Sequence, residues 1–436
     1  MKISKIVITL IAAGMGAGLV PAAHAADVDR LTQLEQQLKA LQQEIQAMKA
    51  ASAKEISDIR DQATAQVKES VVGGDIPNSF RMPNSETSVR IYGYAEANLI
   101  KDFKGTAPGD MFTNLPEQPL KKDAPTEGKS AMTGQTSRIG FETSTPTAVG
   151  PIHTMVEADF YAYVGSKDVM KPDGTTTTVY DNNRNRLRLR HAYGEYAGWL
   201  VGQTWSTFMD LDDGPETLDF NGPIGMPFSR PVQFRYTYNL PNGASFKAAL
   251  ENPSDGAQRP NLVVVASKTY DWGGMNARFI SHEQRSGDIS KNGTGFGIGG
   301  QFKLTGDLTA MGQYAEVDGD ADNAIMYGAN YPDSSTGTML LDKSRGFVVG
   351  LTNVFSPELR ATVAYGHVES QLGVNDAYAG LSGGNKRLEQ WHVNFVYTPI
   401  KNVDLGAELI GGTRTTYEGD KGDLSRLNLM ARYTFN

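Results

Sequence analysis

Four arginines at every second position, Arg184, Arg186, Arg188 and Arg190, are the residues whose type and spacing point most directly to chemistry. In a β-strand successive side chains point to opposite faces, so all four guanidinium groups share one side. Leu187, Leu189, His191 and Tyr193 take the other. Guanidinium is permanently charged and forks onto carboxylates, which suits the first face to brief contact with anionic solutes. The second face suits hydrocarbon or packed protein. Such a strand reads as part of a wall between water and lipid.

Other arginines obey the same alternation. Arg138 is opposed by Ile139 and Phe141, Arg235 by Phe234 and Tyr236, and Arg90, Arg426 and Arg432 lie opposite apolar residues on their own strands. Each is expected on a lumen face, where rings of arginine favour anions. The competing role for any one of them is a wall salt bridge, with Glu142, Glu157, Asp159 and Glu195 as candidate partners. The run of four exceeds the acids on nearby strands and is expected to keep free charge. Just beyond it, the connection 206–229 carries Asp210, Asp212, Asp213, Glu216 and Asp219. Folded inward, these carboxylates would face the arginines across the narrowest section and set a transverse field. Left outside, they would form a solvated acidic loop.

Catalytic and metal-binding patterns are thin. His153, His191, His282, His367 and His392 are isolated, with no ligand pair at close spacing, so no catalytic residue, metal or cofactor is expected. Gly293, Gly295, Gly297, Gly299 and Gly300 alternate too strictly for a phosphate-binding loop and precede no helix. They read as a strand with a bare face, approached closely by a loop or a neighbouring barrel.

The elements that must position these residues follow from the rest of the chain. Lys2 and Lys5, an apolar run from Ile6 to Val20 and Ala23-His24-Ala25 give residues 1–25 the form of a removed signal peptide. A retained anchor is disfavoured, because the run is shorter than the roughly 20 residues a spanning helix needs. No later segment is apolar and long enough to cross as a helix. The 436 residues include no cysteine, which excludes disulfides and thiol chemistry, and the net charge of −8 disfavours nucleic acid as a partner.

Within residues 26–72, Leu31, Leu34, Leu38, Leu41, Ile45 and Met48 alternate spacings of three and four, an a/d seam that asks for a partner helix. Beyond Met48 the stripe shifts to Ile56, Ile59, Ala63 and Val67. A self-associating coiled coil fits this narrow stripe better than a lone amphipathic helix. Residues 73–88, with Pro77 and Pro83, read as a linker.

Residues 89–436 change texture. Short alternating segments, about sixteen by count, are joined by connections that are themselves alternately short and long. Pro and Gly concentrate at the short turns, as at Pro241-Asn242-Gly243 and Ser356-Pro357-Glu358. Long connections fall at 103–133, 166–182, 206–229, 252–261, 318–341 and 370–386, with a shorter one near 417–423. The expected fold is an all-β transmembrane barrel of antiparallel strands, in contact with outer-membrane lipid, preceded by the helical coiled coil. An even strand number puts both barrel ends at one rim, so the coiled coil would hang in the periplasm, near the cell wall. Residues 206–229 are by position the third long loop.

Three stretches resemble the general bacterial porins: Ser137-Arg138-Ile139-Gly140-Phe141, Arg188 to Tyr196, and Tyr433-Thr434-Phe435 ahead of a terminal Asn436. A coiled coil followed by Ile76-Pro77-Asn78-Ser79-Phe80-Arg81-Met82-Pro83 and Ser88-Val89-Arg90-Ile91-Tyr92-Gly93-Tyr94 is similar to the DcaP-like porins. That resemblance implies a homotrimer of sixteen-stranded barrels, a trimeric periplasmic coiled coil, and uptake of small anionic solutes, dicarboxylates among them. The expected function is passive, anion-preferring diffusion across the outer membrane. Two other classes are weaker: an adhesive or structural protein acting through its coiled coil, and a barrel hydrolase, for which no Ser and His can be paired.

Overall fold

The computed structural model describes residues 24–70, 73–81, 85–105, 113, 115–121, 128, 130–161, 166–170, 176–180, 186–253, 256–319, 330–333, 337–371 and 384–435. Arg184, most of the expected signal peptide, Asn436 and parts of the expected loops at 103–133, 166–182, 252–261, 318–341 and 370–386 lie outside the described residues.

Two compact units result, 1–72 and 73–436. The first contains one helix, α1 (His24–Ser70). Its a/d residues Leu34, Leu38, Leu41, Ile45 and Met48 are all exposed, by between 42% and 63%, so among the described residues the seam is uncovered.

The second unit is a closed antiparallel barrel of sixteen strands. These are β1 (Ser88–Lys104), β2 (Arg138–Thr145), β3 (Ile152–Asp159), β4 (Arg188–Tyr196), β5 (Trp199–Gln203) and β6 (Val232–Asn239). They continue as β7 (Ala244–Glu251), β8 (Asn261–Tyr270), β9 (Gly273–Ser286), β10 (Ile289–Lys303) and β11 (Leu308–Asp318). The last five are β12 (Lys343–Ser356), β13 (Leu359–Gln371), β14 (Asn385–Ile400), β15 (Val403–Thr416) and β16 (Lys421–Phe435). Closure is made by β1 on β16, with Gly93 opposite Phe435 and Leu99 opposite Leu429. A short segment, Ser130–Thr133, extends β2 along the far end of β1. Residues 73–81 fold back on the barrel: Phe80 pairs with Val89, and Asp75 N donates to Ser88 Oγ at 2.8 Å.

Short and long connections alternate as expected, with one difference. β9 and β10 are longer than their apolar alternation implies and meet in a two-residue turn at Gly287, whose φ is +59°. Polar residues such as Gln284, Arg285 and Ser290 continue the ladder there, since backbone pairing does not require apolar side chains.

Alternation places the outer surface. Ile91, Leu99, Phe141, Leu189, Val201, Phe234, Phe279, Trp391 and Leu429 are all more than a third exposed, whereas their inward neighbours Asn98, Gln233, Arg278, Gln390 and Asn428 are buried. An exposed apolar face round a buried polar one is the inverse of a soluble domain and suits lipid outside and a polar lumen inside. Toward the long-loop ends the outer face turns charged, with Lys343 2.8 Å from Glu316 and Arg345 2.8 Å from Glu369. Strands of 14–16 residues outrun the roughly 25 Å apolar band, so these ion pairs mark where hydrocarbon gives way to water.

β4 departs from strict alternation. Glu157 of β3 lies opposite His191, but Ala158 lies opposite Leu189, so Arg190 is an extra residue in a β-bulge. Arg188 and Arg190 face inward and Leu189 outward, as expected. From the bulge onward the parity flips, and His191 and Tyr193, expected on the apolar side, face the lumen instead.

Candidate pore constriction

Loop 204–231 folds into the lumen, and side chains of the inner wall hold it there. Glu251, 1% exposed, accepts Ser206 Oγ at 2.7 Å and Thr207 N. Arg278 donates to Phe208 O at 3.1 Å, and Gln313 Nε2 to Asp210 O at 2.7 Å. Farther round, Asn394 Nδ2 donates to Glu216 O at 2.8 Å, and Gln390 accepts Ile224 N at 3.2 Å. Glu408, also 1% exposed, accepts Leu218 N and Asp219 N and lies 2.8 Å from His392 Nδ1. The loop thus runs along the inner wall from β7 to β15.

Glycines on the inner face make this approach possible. A Cβ on Gly299 would meet the Asp213 carboxylate, one on Gly350 Pro215, one on Gly366 the Ile224 backbone and one on Gly406 the Leu218 side chain. The bare face expected from the glycine run on β10 is therefore a loop seat. Gly293 and Gly297 leave space for His282 and Arg278 in the same way. A second inward segment lies at the start of the first long connection. Leu115 is fully buried, Pro116 O accepts Asn385 Nδ2 at 3.0 Å, and Thr113 Oγ1 donates to Asp219.

The loop carboxylates have other partners than the arginine ladder. Asp210 and Asp213 both accept Asn276 Nδ2, the latter at 2.6 Å. Glu216 makes a bidentate pair with Arg360, at 2.8 and 2.7 Å. Burial and then hydrogen bonding and charge from Asp210 push Asp213 up to about 8, and burial raises Asp219 as well. What faces the ladder is Phe220, with the guanidinium carbons of Arg138, Arg188 and Arg190 6.0, 5.8 and 5.3 Å from its ring centroid.

The strand arginines are paired more fully than their number predicts. Arg188 grips Asp159 at 2.6 Å, and Arg190 reaches Glu157 at 2.7 Å and Asp159 at 3.1 Å. Arg138 is 3.4 Å from Glu157, Arg90 is 2.7 Å from Glu142, and Arg235 is 3.5 Å from Glu195. Arg426 pairs with Asp102, and Arg432 with Glu96 at 2.6 Å. Glu157 and Asp159 on β3 serve Arg138, Arg188 and Arg190 together, so these three keep one charge in excess and none of them is free of a partner. Arg186 also interacts with a neighbour.

Arg230, which no alternation pattern singles out, differs from the others. Among the described residues it has no carboxylate partner, and one guanidinium nitrogen is buried without a hydrogen bond. It lies over Trp205 at 4.6 Å and near Phe228 at 5.9 Å. Burial, then the like charges of Arg190 and Arg188, pull it down to about 9, leaving it cationic at neutral pH. Arg138, Arg190, Arg432, Trp205, Phe220 and Phe228 line an adjoining chamber of about 590 Å³. The local count is five cations (Arg138, Arg188, Arg190, Arg230, Arg432) against three carboxylates (Glu96, Glu157, Asp159), a surplus of two. Glu216 and Asp219 also line the chamber, but the first is paired with Arg360 and the second is turned to Thr113 Oγ1 and Asn221 N.

Comparison with known proteins agrees with this architecture. The barrel superposes on the crystal structure of the outer membrane channel DcaP of Acinetobacter baumannii with a TM-score of 0.72 and 27% identity, over 84% of this chain and 100% of that one. Salmonella typhi OmpF, solved in complex with daunomycin, matches at 0.54 and 15% identity over 80% and 98% of the two chains. Vibrio cholerae OmpT matches at 0.51 and 13% identity over 81% and 99%. The last two share the fold. No curated protein sequence matches. The family model for the DcaP outer membrane protein matches residues 22–435. A closed sixteen-stranded barrel with a polar lumen and an inward loop, matched over nearly its whole length, makes this chain a member of the DcaP outer-membrane protein family, a non-enzymatic channel of the bacterial outer membrane.

Proposed function

We propose that the channel passes small anionic solutes by passive diffusion, dicarboxylates among them, in preference to cations. The observation that carries this reading is Arg230: among the described residues a cation without a carboxylate partner, beside three arginines, Arg138, Arg188 and Arg190, that share two carboxylates. Ion pairs in the wall neutralise part of the ladder, and the surplus of two at the constriction is divided between Arg230 and the one charge that Glu157 and Asp159 leave unmatched. Arg190 lines the chamber, Arg188 and Arg190 hold Glu157 and Asp159, and Phe220 and Trp205 supply flat apolar surfaces beside the charge. A carboxylate entering there gains charge-assisted hydrogen bonds, and a cation meets repulsion. Reversal potential across a planar bilayer under a salt gradient tests the reading. Anion selectivity is expected, and cation selectivity of the unmodified channel would overturn it.

The assembly proposed is a homotrimer joined through barrel walls and α1. The exposed a/d residues Leu34, Leu38, Leu41, Ile45 and Met48 support association of the helix. Residues 1–25 act as a removed signal peptide, and α1 stands on the periplasmic side, where it strengthens assembly without setting selectivity.

A further inference from the structure

Thr204, Trp205 and Leu211 line two chambers. Beyond the arginine chamber lies a second, of about 380 Å³, between loop 204–231 and the inner faces of β6–β9. Its charge pattern is different. Arg235, Lys247 and Arg278 project from the wall, Lys268 also lines the space, and Asp210, Asp212 and Asp213 face it from the loop.

The cations are incompletely matched. Arg235 lies 3.5 Å from its nearest carboxylate, Glu195, and its Nε is buried without a partner. Lys247 forms no ion pair among the described residues, and the charges acting on it are Arg235, Asp210, Asp212 and Glu195. The acids are incompletely matched too. Asp210 accepts Asp212 N at 3.0 Å and shares the Asn276 Nδ2 amide with Asp213, and Asp212 is exposed, with its carboxylate in no ion pair among the described residues.

A dianion entering this space meets the loop carboxylates, and a simple cation meets Arg235 and Lys247. A molecule carrying both charges on a short frame can satisfy both walls at once. We infer that the second chamber is a binding station for small zwitterions with one ammonium and one carboxylate, the α-amino acid class, the carboxylate toward Lys247 and Arg235 and the ammonium toward Asp210 and Asp212. This adds a solute class to the anions proposed for the arginine chamber.

The test is uptake by proteoliposomes containing the full-length channel, with L-serine as zwitterion, glycerate as anion and glycerol as neutral probe. Serine flux is expected to saturate with concentration, whereas glycerol flux stays linear. Lys247→Gln should lower serine flux at low concentration by roughly tenfold, as expected for loss of one charge-assisted contact, and leave glycerol unchanged. Lys247→Arg should retain saturation, which separates lost charge from lost fold. Linear serine flux at the glycerol rate, or equal slowing of all three probes by Lys247→Gln, would overturn the inference. Glycerate uptake reads the anion preference separately, so either reading can fail alone.

Discussion

Arg230 stacks on the indole of Trp205, its guanidinium carbon 4.6 Å from the ring centroid. This contact fixes a cation at the foot of the constriction loop without neutralising it. A salt bridge would hold the side chain as firmly but would cancel the charge.

Arg230→Ala is therefore expected to move the reversal potential toward zero and leave the heat-denaturation midpoint of the detergent-solubilised barrel nearly unchanged. An unaltered reversal potential in that variant would remove Arg230 from the selectivity argument.

Arg190→Ala should behave in the opposite way. Arg190 is 3% exposed and serves both Glu157 and Asp159. Removing it leaves Glu157 to Arg138 and Asp159 to Arg188 and takes away charge-assisted bonds of about 1.5–3 kcal/mol, so a clear drop in thermal stability is expected. Wild-type stability would show that the pair is not buried in the way described.

Asp213 is expected to give the channel a pH response. Its folded-state pKa, about 8, lies above the unfolded carboxylate value of 3.8, so the native state holds the extra proton between them. The sign follows from linkage: its contribution is stabilising at low pH and is lost as pH rises through about 8. Ionisation also adds a negative charge to the loop, so anion selectivity should fall between pH 7 and 9. Asp213→Asn should abolish that step, and a step persisting in this variant would assign it to another group.

Glu408 ties the loop apex to β15 through two backbone amides. Glu408→Ala removes both acceptors, each a charge-assisted bond of about 1.5–3 kcal/mol, and should loosen the apex. Higher and noisier single-channel conductance is expected. Conductance identical to wild type would show that the remaining anchors suffice.

Deleting residues 26–72 is expected to lower the temperature at which the proposed trimer dissociates in detergent while preserving reversal potential. A monomeric product with altered selectivity would contradict the division of labour proposed for helix and barrel.

Much of the fold was legible because a barrel wall writes its two solvents into every strand. Leu427, Leu429 and Tyr433 face outward and Arg426, Asn428 and Arg432 inward, as their alternation implies. The site was less legible, for three physical reasons. The bulge at Arg190 adds a residue that a period of two cannot register, which misassigned His191 and Tyr193. Ion pairing depends on which strands become neighbours, so Glu157 and Asp159 could not be matched to Arg138, Arg188 and Arg190 by counting. Arg230 lies in a loop, where no period operates; its place between Phe228 and the start of a strand, with Trp205 at the other foot of the loop, was the available signal.

The glycines beneath loop 204–231 act as spacers of zero thickness. Bore diameter here is not set by strand number alone, since Gly299, Gly350, Gly366 and Gly406 fix how flat the loop can lie against the wall. A single methyl group at one of these positions works as a shim between loop and barrel. Relatives with the same number of strands could therefore be tuned to larger or smaller solutes by residues that never touch the solute.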